Sequence, residues 1–163
     1  MTDPRLAKLL GIYRSDRAAN LNPVWSDVEQ SLGLALPITY KMLVDLFGAS
    51  SWGDFLYVLS PFDESLNLQR RGKQILDADR QSRSTFPSHY PFGLYPEPNG
   101  LLPWAVTDNG DTLYFVTFGP PDDWSTLIRG PRAPEFEVSF LTPSLLVHHI
   151  SAGTYRSTIL AEA

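Results

Sequence analysis

An Asn-Gly pair at 109–110 stands between the apolar runs Leu102-Pro103-Trp104-Ala105-Val106 and Leu113-Tyr114-Phe115. Such a pair is a strong hairpin signal, because both central positions of a type I′ turn need φ above zero. A two-residue loop there sets Asp108 opposite Asp111, Thr107 opposite Thr112, Val106 opposite Leu113 and Trp104 opposite Phe115. Side chains alternate along each strand, so the apolar pairs fall on one face. Facing carboxylates at 108 and 111 repel. They read either as solvated turn aspartates or as a rim that meets something positive.

Turn and capping residues organise the rest of the chain around this hairpin. A short helix is expected over 4–13 from Leu6, Leu9, Leu10 and Tyr13, then a polar loop to Asn20. Asn22-Pro23 reads as N-cap and first helical residue, Trp25, Val28 and Leu32 follow at helical spacing, and Gly33 stops the helix. Pro37 opens a second, better marked helix, with Tyr40, Leu43, Val44 and Phe47 as its stripe and Gly48 as its stop. Residues 49–54 read as a loop leading into the strand Phe55-Leu56-Tyr57-Val58-Leu59, apolar on both faces. A helix interrupted near Gly72 is expected from a Ser65 cap to about Gln81. Five prolines between Phe86 and Pro103 argue against regular structure there. Thr126–Arg129 and Phe136–Val138 are short strand candidates, and Thr142-Pro143 starts a last helix stopped by Gly153. Helices, a strand, a helix, antiparallel strands and a closing helix make one α+β domain over 1–163.

Charge is distributed unevenly. The chain of 163 residues carries a formal net charge of −5. Between Glu97 and Glu137 there are seven acids and two bases, so that segment holds the whole excess. Phosphate binding needs clustered Lys and Arg, which argues against nucleic acid as a direct ligand and for a basic partner. The locally basic stretch is Arg70, Arg71, Lys73, Arg80 and Arg83. It reads as a solvated helix face or a minor contact for an acidic group. There is no cysteine, which removes disulfides and thiol chemistry. The start lacks the build of a signal peptide, and no apolar run approaches the roughly 18 residues of a membrane span, so a cytoplasmic location is expected.

Catalytic motifs are hard to place on these residues. Gly48-Ala49-Ser50-Ser51-Trp52-Gly53 is one residue too long for a nucleophile elbow and follows a helix where that motif needs a strand. Asp108-Asn109-Gly110-Asp111 lacks the spacing of a calcium loop. His148 and His149 are adjacent on a helix, point about 100° apart and do not chelate one metal together. No catalytic residue, metal or cofactor is therefore expected. The candidate contact residues are Asp108, Asp111, Asp122 and Asp123 as a phosphate-mimicking rim, with Trp52, Asp54 and Trp124 beside them as aromatic anchors and acids.

The helix with "LGLALP", then "PITYKMLVDLFG", "WGDFLYVLSPF", "LLPWAVTDNGDTLYF" and "SFLTPSLLVHHISAG" together resemble the SUKH superfamily, which includes fungal Smi/Knr cell-wall regulators and many bacterial immunity proteins. The resemblance spans residues 22 to 153 in the family's order, and the 86–103 loop departs from it. It implies an α+β fold with a mixed, mainly antiparallel sheet and helices packed around it. It also implies a non-catalytic protein-binding module. The foremost form is an immunity protein that neutralises a cognate toxin, often a nuclease and hence basic. The alternative is a regulatory or signalling module without a toxin partner.

Overall fold

The computed structural model describes residues 3–13, 22–131 and 134–160; the loop expected over 14–20 lies outside them. In chain order the elements are α1 (Leu6–Tyr13), α2 (Trp25–Leu32), α3 (Ile38–Phe47), β1 (Ser50–Trp52), β2 (Leu56–Val58), α4 (Leu68–Thr85), β3 (Leu101–Thr107), β4 (Thr112–Val116), β5 (Thr126–Arg129), β6 (Phe136–Ser139) and α5 (Pro143–Ala152). The strands form one sheet in the order β1-β2-β3-β4-β5-β6, and every ladder is antiparallel. Among the described residues, parallel pairing is confined to two isolated bridges, Ser60 with Asn67 and Leu94 with Leu101. The domain is α+β, as the pattern of turns and stripes requires.

Alternation along β4 divides the interior into two cores. Leu113 and Phe115 face the larger one, where they meet Leu9 of α1, Trp25 of α2, Tyr40 of α3 and Leu146 of α5. Tyr114 faces the other side, with Leu101 and Leu127 against Leu76 of α4. Tyr40 is fully buried; its hydroxyl donates 2.6 Å to the Leu59 carbonyl, and its ring meets Trp104 and Phe115 edge-on. Burial drives that hydroxyl's pKa far upward.

The central hairpin forms, but with a different turn. Gly110 N–H donates 3.1 Å to the Thr107 carbonyl, Gly110 lies at φ +85, and Asn109 is not among the residues at positive φ. This is a three-residue loop, a type I turn closed by a left-handed glycine. The register moves accordingly: Val106 pairs with Thr112 and Ala105 with Leu113. A second shift follows between Pro103 and Ala105. A proline in an interior strand cannot donate to the ladder, and a bulge accommodates it. Trp104 therefore does not pair with Phe115, yet their rings stack at 5.2 Å and 8°.

Other expectations change locally. Ser50–Trp52 is an edge strand rather than loop, closed onto β2 by Gly53 and Asp54 at φ +61 and +51. The primed-turn signature sits here, not at Asn109-Gly110. Helix α4 is continuous through Gly72, and Asn67, not Ser65, caps it by accepting the Arg70 N–H at 2.9 Å. Ser65 is instead bound within an Asp63 turn. The proline-rich segment contains a 3-10 turn at Pro87–His89, and β3 starts before Pro103. That segment is held down by fully buried Leu94 and by the Tyr95 hydroxyl donating to the Leu32 carbonyl. Gly100 is required there, since a Cβ would stand 2.5 Å from the Tyr95 nitrogen.

Candidate functional site

The aspartates expected to form one rim are distributed over both ends of the sheet. The one-residue change of register places Asp111 beside Thr107, where it is 3% exposed. Thr107 Oγ1 donates 2.7 Å to the Asp111 carboxylate and accepts the Asp111 N–H at 3.1 Å. Asp111 is therefore a structural acid of the turn, and no pair of carboxylates opposes across it. Asp122 and Asp123 follow β4 and lie at the other end of this five-residue strand, a length of roughly 16 Å. Asp122 accepts the Ile38 N–H at 2.7 Å. It caps α3, whose own first turn contains no acid, and complements the positive end of the helix dipole. Only Asp123 of that pair is exposed without such a contact.

Asp54 and Asp108 are brought together instead. The two turns that carry them are neighbours because β2 pairs with β3, and Asp108 N–H donates 3.1 Å to the Phe55 carbonyl. Both carboxylates are exposed. Asp108 chiefly, through a hydrogen bond to the Tyr57 hydroxyl, and Asp54 through its charge raise that hydroxyl above the ordinary tyrosine range. No ion pair reaches Asp54, Asp108 or Asp123 among the described residues.

Neither candidate tryptophan offers an anchor. Trp52 is fully buried, and its indole N–H donates 2.8 Å to Ser50 Oγ. Trp124 is 7% exposed and donates 3.0 Å to the Gly119 carbonyl. Each ring buries too much apolar area to be left outside a core that can take it.

The two edges of the sheet are finished differently. At β1 the Arg5 guanidinium lies 3.7 Å above the Trp52 ring, donates 2.8 Å to the Ser51 carbonyl and is held by Asp3 at 2.7 Å. That pairing holds the Asp3 carboxyl below its usual range. A charge over an edge is a known guard against strand pairing. At β6 no backbone bond beyond the ladder to β5 involves Phe136–Ser139 among the described residues. Phe136 and Val138 are 41% and 40% exposed, and Phe140 just beyond them is 87% exposed. On the opposite face Glu137 accepts from the Tyr155 hydroxyl at 3.0 Å and from the backbone N–H groups of Thr158 and Ile159. Burial, and then Glu137, push that hydroxyl up to about 12. The one charge of the strand is thus turned away from its apolar face.

A polar cluster lies under the α4 face. Tyr114 hydroxyl donates 2.7 Å to Asp79, and the Arg129 guanidinium stacks 3.8 Å from the Tyr90 ring. Burial raises the Asp79 carboxyl, and burial together with Asp79 drives the Tyr114 hydroxyl well up. On α5 the rings of His148 and His149 stand edge-to-face at 5.1 Å, and burial depresses His148. Among the described residues no three His, Asp or Glu side chains gather as a metal site, and no helix is long and apolar enough to cross a membrane.

Sequence reasoning missed Arg5, Tyr57 and the exposed face of β6. The alternation Phe136-Glu137-Val138-Ser139-Phe140 was a visible signal for the last. Arg5 and Tyr57 find their roles through contacts distant in sequence. Comparison with protein-family models, with curated proteins and with solved structures yields no match.

Proposed function

We propose that the chain is a non-catalytic, cytoplasmic protein-binding module, and most specifically an immunity protein of SUKH type that neutralises a basic toxin. The observation that carries the reading is the contrast between the edges. One is guarded by Arg5, while the other presents Phe136, Val138 and Phe140 beside backbone that is unpaired among the described residues. An exposed apolar edge invites a partner strand or surface, since its hydrogen-bonding groups and side chains are both available. The β5–β6 connection and the Asp54–Asp108 turns occupy the same end of the sheet, so the carboxylates lie along that end, Asp108 three strands from β6, roughly 14 Å, and Asp54 farther. That arrangement suits a cationic partner, as a nuclease that grips phosphates must be.

The test is co-expression with a toxin encoded immediately upstream, read as rescue of growth, followed by binding kinetics on the purified pair. Asp54→Asn with Asp108→Asn is expected to slow association about 10-fold at low salt, within the range of electrostatic steering, and to flatten its salt dependence. Val138→Ser with Phe140→Ser is expected to speed dissociation instead, because contact rather than steering is lost. A toxin bound with unchanged kinetics by both variants refutes the assignment of this surface. Failure of rescue and of binding by the wild-type chain refutes the immunity reading itself.

A further inference from the structure

We propose that the open edge of β6 pairs with β6 of a second copy of this chain, as an antiparallel ladder on a two-fold axis through Val138. The inference rests on the reading of β6 as a contact edge and not on the nature of the toxin. Antiparallel partners exchange both backbone bonds at alternate residues. Val116 N–H donates 2.9 Å to the Ser125 carbonyl. Leu127 and Arg129 therefore turn their backbone groups to β4, and Thr126 and Ile128 turn theirs to β6. Their partners there are Ser139 and Glu137. The N–H and carbonyl of Phe136 and Val138, and of Phe140 by continuation, point away from the sheet, and no backbone partner meets them among the described residues.

The strand is complementary to its own reverse. Phe136-Glu137-Val138-Ser139-Phe140 alternates apolar and polar residues identically from either end. A two-fold axis at Val138 sets Val138 opposite Val138 and Phe136 opposite Phe140, all with outward backbone groups and all on one face. These three side chains are exposed, and aromatic and β-branched cross-strand pairs are favourable. The same axis sets Glu137 opposite Ser139. An axis at Glu137 would instead bring two carboxylates face to face and set Phe140 against Pro134, which has no N–H to give. The contact is thus isologous, with one register that uses the whole apolar stripe.

Area and charge set the strength of this contact. With aromatic side chains of roughly 200 Å² each, the exposed parts of Phe136, Val138 and Phe140 amount to on the order of 300 Å² per copy. Two copies stay below the ~1,200 Å² of a stable interface. The dimer is therefore weak and reversible, and a partner that takes the same edge displaces the second copy. Each copy carries a net charge of −5. Glu137 is held on the opposite face by Tyr155 and Ser157. Asp108 lies three strands from β6, roughly 14 Å, beyond the Debye length of about 8 Å at physiological salt. Added salt screens the remaining repulsion and strengthens the dimer, whereas it weakens contact with a cationic partner.

Sedimentation equilibrium of the purified full chain alone, from about 10 μM to about 1 mM, tests this. Monomer and dimer in exchange are expected, with a Kd on the order of 100 μM that falls as salt is raised. Val138→Lys sets two cations opposite each other on the axis and is expected to raise that Kd about 10-fold or more, with an unchanged circular dichroism spectrum. Oxidation reads the register, since the chain contains no cysteine. Hydrogen-bonded antiparallel partners hold their Cα atoms about 5.5 Å apart, within disulfide reach. Val138→Cys is therefore expected to form a covalent dimer. Phe136→Cys stands roughly 14 Å from its own copy and is expected to cross-link only when mixed with Phe140→Cys. A chain that stays monomeric throughout that range overturns the proposal. So does a folded Val138→Lys that dimerises as the wild type does, or equal cross-linking of Val138→Cys and Phe136→Cys alone. None of these measurements contains the toxin, so a failed dimer and a failed growth rescue are told apart.

Discussion

Substitutions at Asn109 and Gly110 separate the observed turn from the two-residue turn that the sequence suggests. In the observed loop Gly110 lies at φ +85 and Asn109 does not lie at positive φ. A residue with a Cβ in the left-handed region costs roughly 1–2 kcal/mol. At position 110 the new Cβ would also stand 3.4 Å from Pro131 Cβ and Cγ, so the site has no slack for a larger group. Gly110→Ala is therefore expected to cost about 1–2 kcal/mol, and Gly110→Val more. Asn109 is exposed, and Asn109→Ala is expected to stay within about 0.5 kcal/mol. For a chain of this size 1 kcal/mol corresponds to roughly 2–4 °C in Tm. Gly110→Ala should then lower Tm by roughly 2–8 °C, read by circular dichroism, while Asn109→Ala stays close to wild type. A type I′ turn places both residues at positive φ and makes both substitutions costly. Equal losses from the two variants, confirmed by urea unfolding, would refute the assigned turn and with it the burial of Asp111.

Two further predictions concern acids with structural roles. Asp122→Ala removes the carboxylate bonded to Ile38 N–H and is expected to destabilise by about 0.5–2 kcal/mol, while Asp123→Ala, which has no such bond, leaves Tm unchanged; equal effects in thermal melts would deny Asp122 its capping role. Asp79 has a folded pKa above its ordinary 3.8 because of burial; as pH falls through that raised value, the folded state takes up a proton the unfolded state does not, and stability rises. Asp79→Asn lacks this gain, so its stability relative to wild type is expected to be best near pH 7 and to worsen on descent toward pH 4. Urea unfolding across that range checks this, and a difference independent of pH would count against it.

Much of the architecture was legible in local signals. Gly33, Gly48 and Gly153 end helices at positive φ, and the stripes of α2 and α3 face the core, because capping and amphipathic spacing act within a few residues. The fold class followed from the order of such elements. Register did not. Asn-Gly serves a two-residue and a three-residue loop alike, and the choice rests on packing: Thr107 and Asp111 satisfy one another only in the longer loop, and Pro103 demands a bulge that depends on its neighbouring strands. That single residue of register turned an expected pair of exposed carboxylates into one buried and one exposed. The candidate surface was legible only as composition. The excess of acid between 97 and 137 was plain, but which acids remain free was decided by partners far away in sequence, such as Ile38 for Asp122 and Phe55 for the turn of Asp108. Edge identity was likewise tertiary. A strand learns that it is an edge, and whether a guanidinium such as that of Arg5 covers it, only when the sheet is assembled, because hydrogen-bonding edges belong to the sheet and not to the strand.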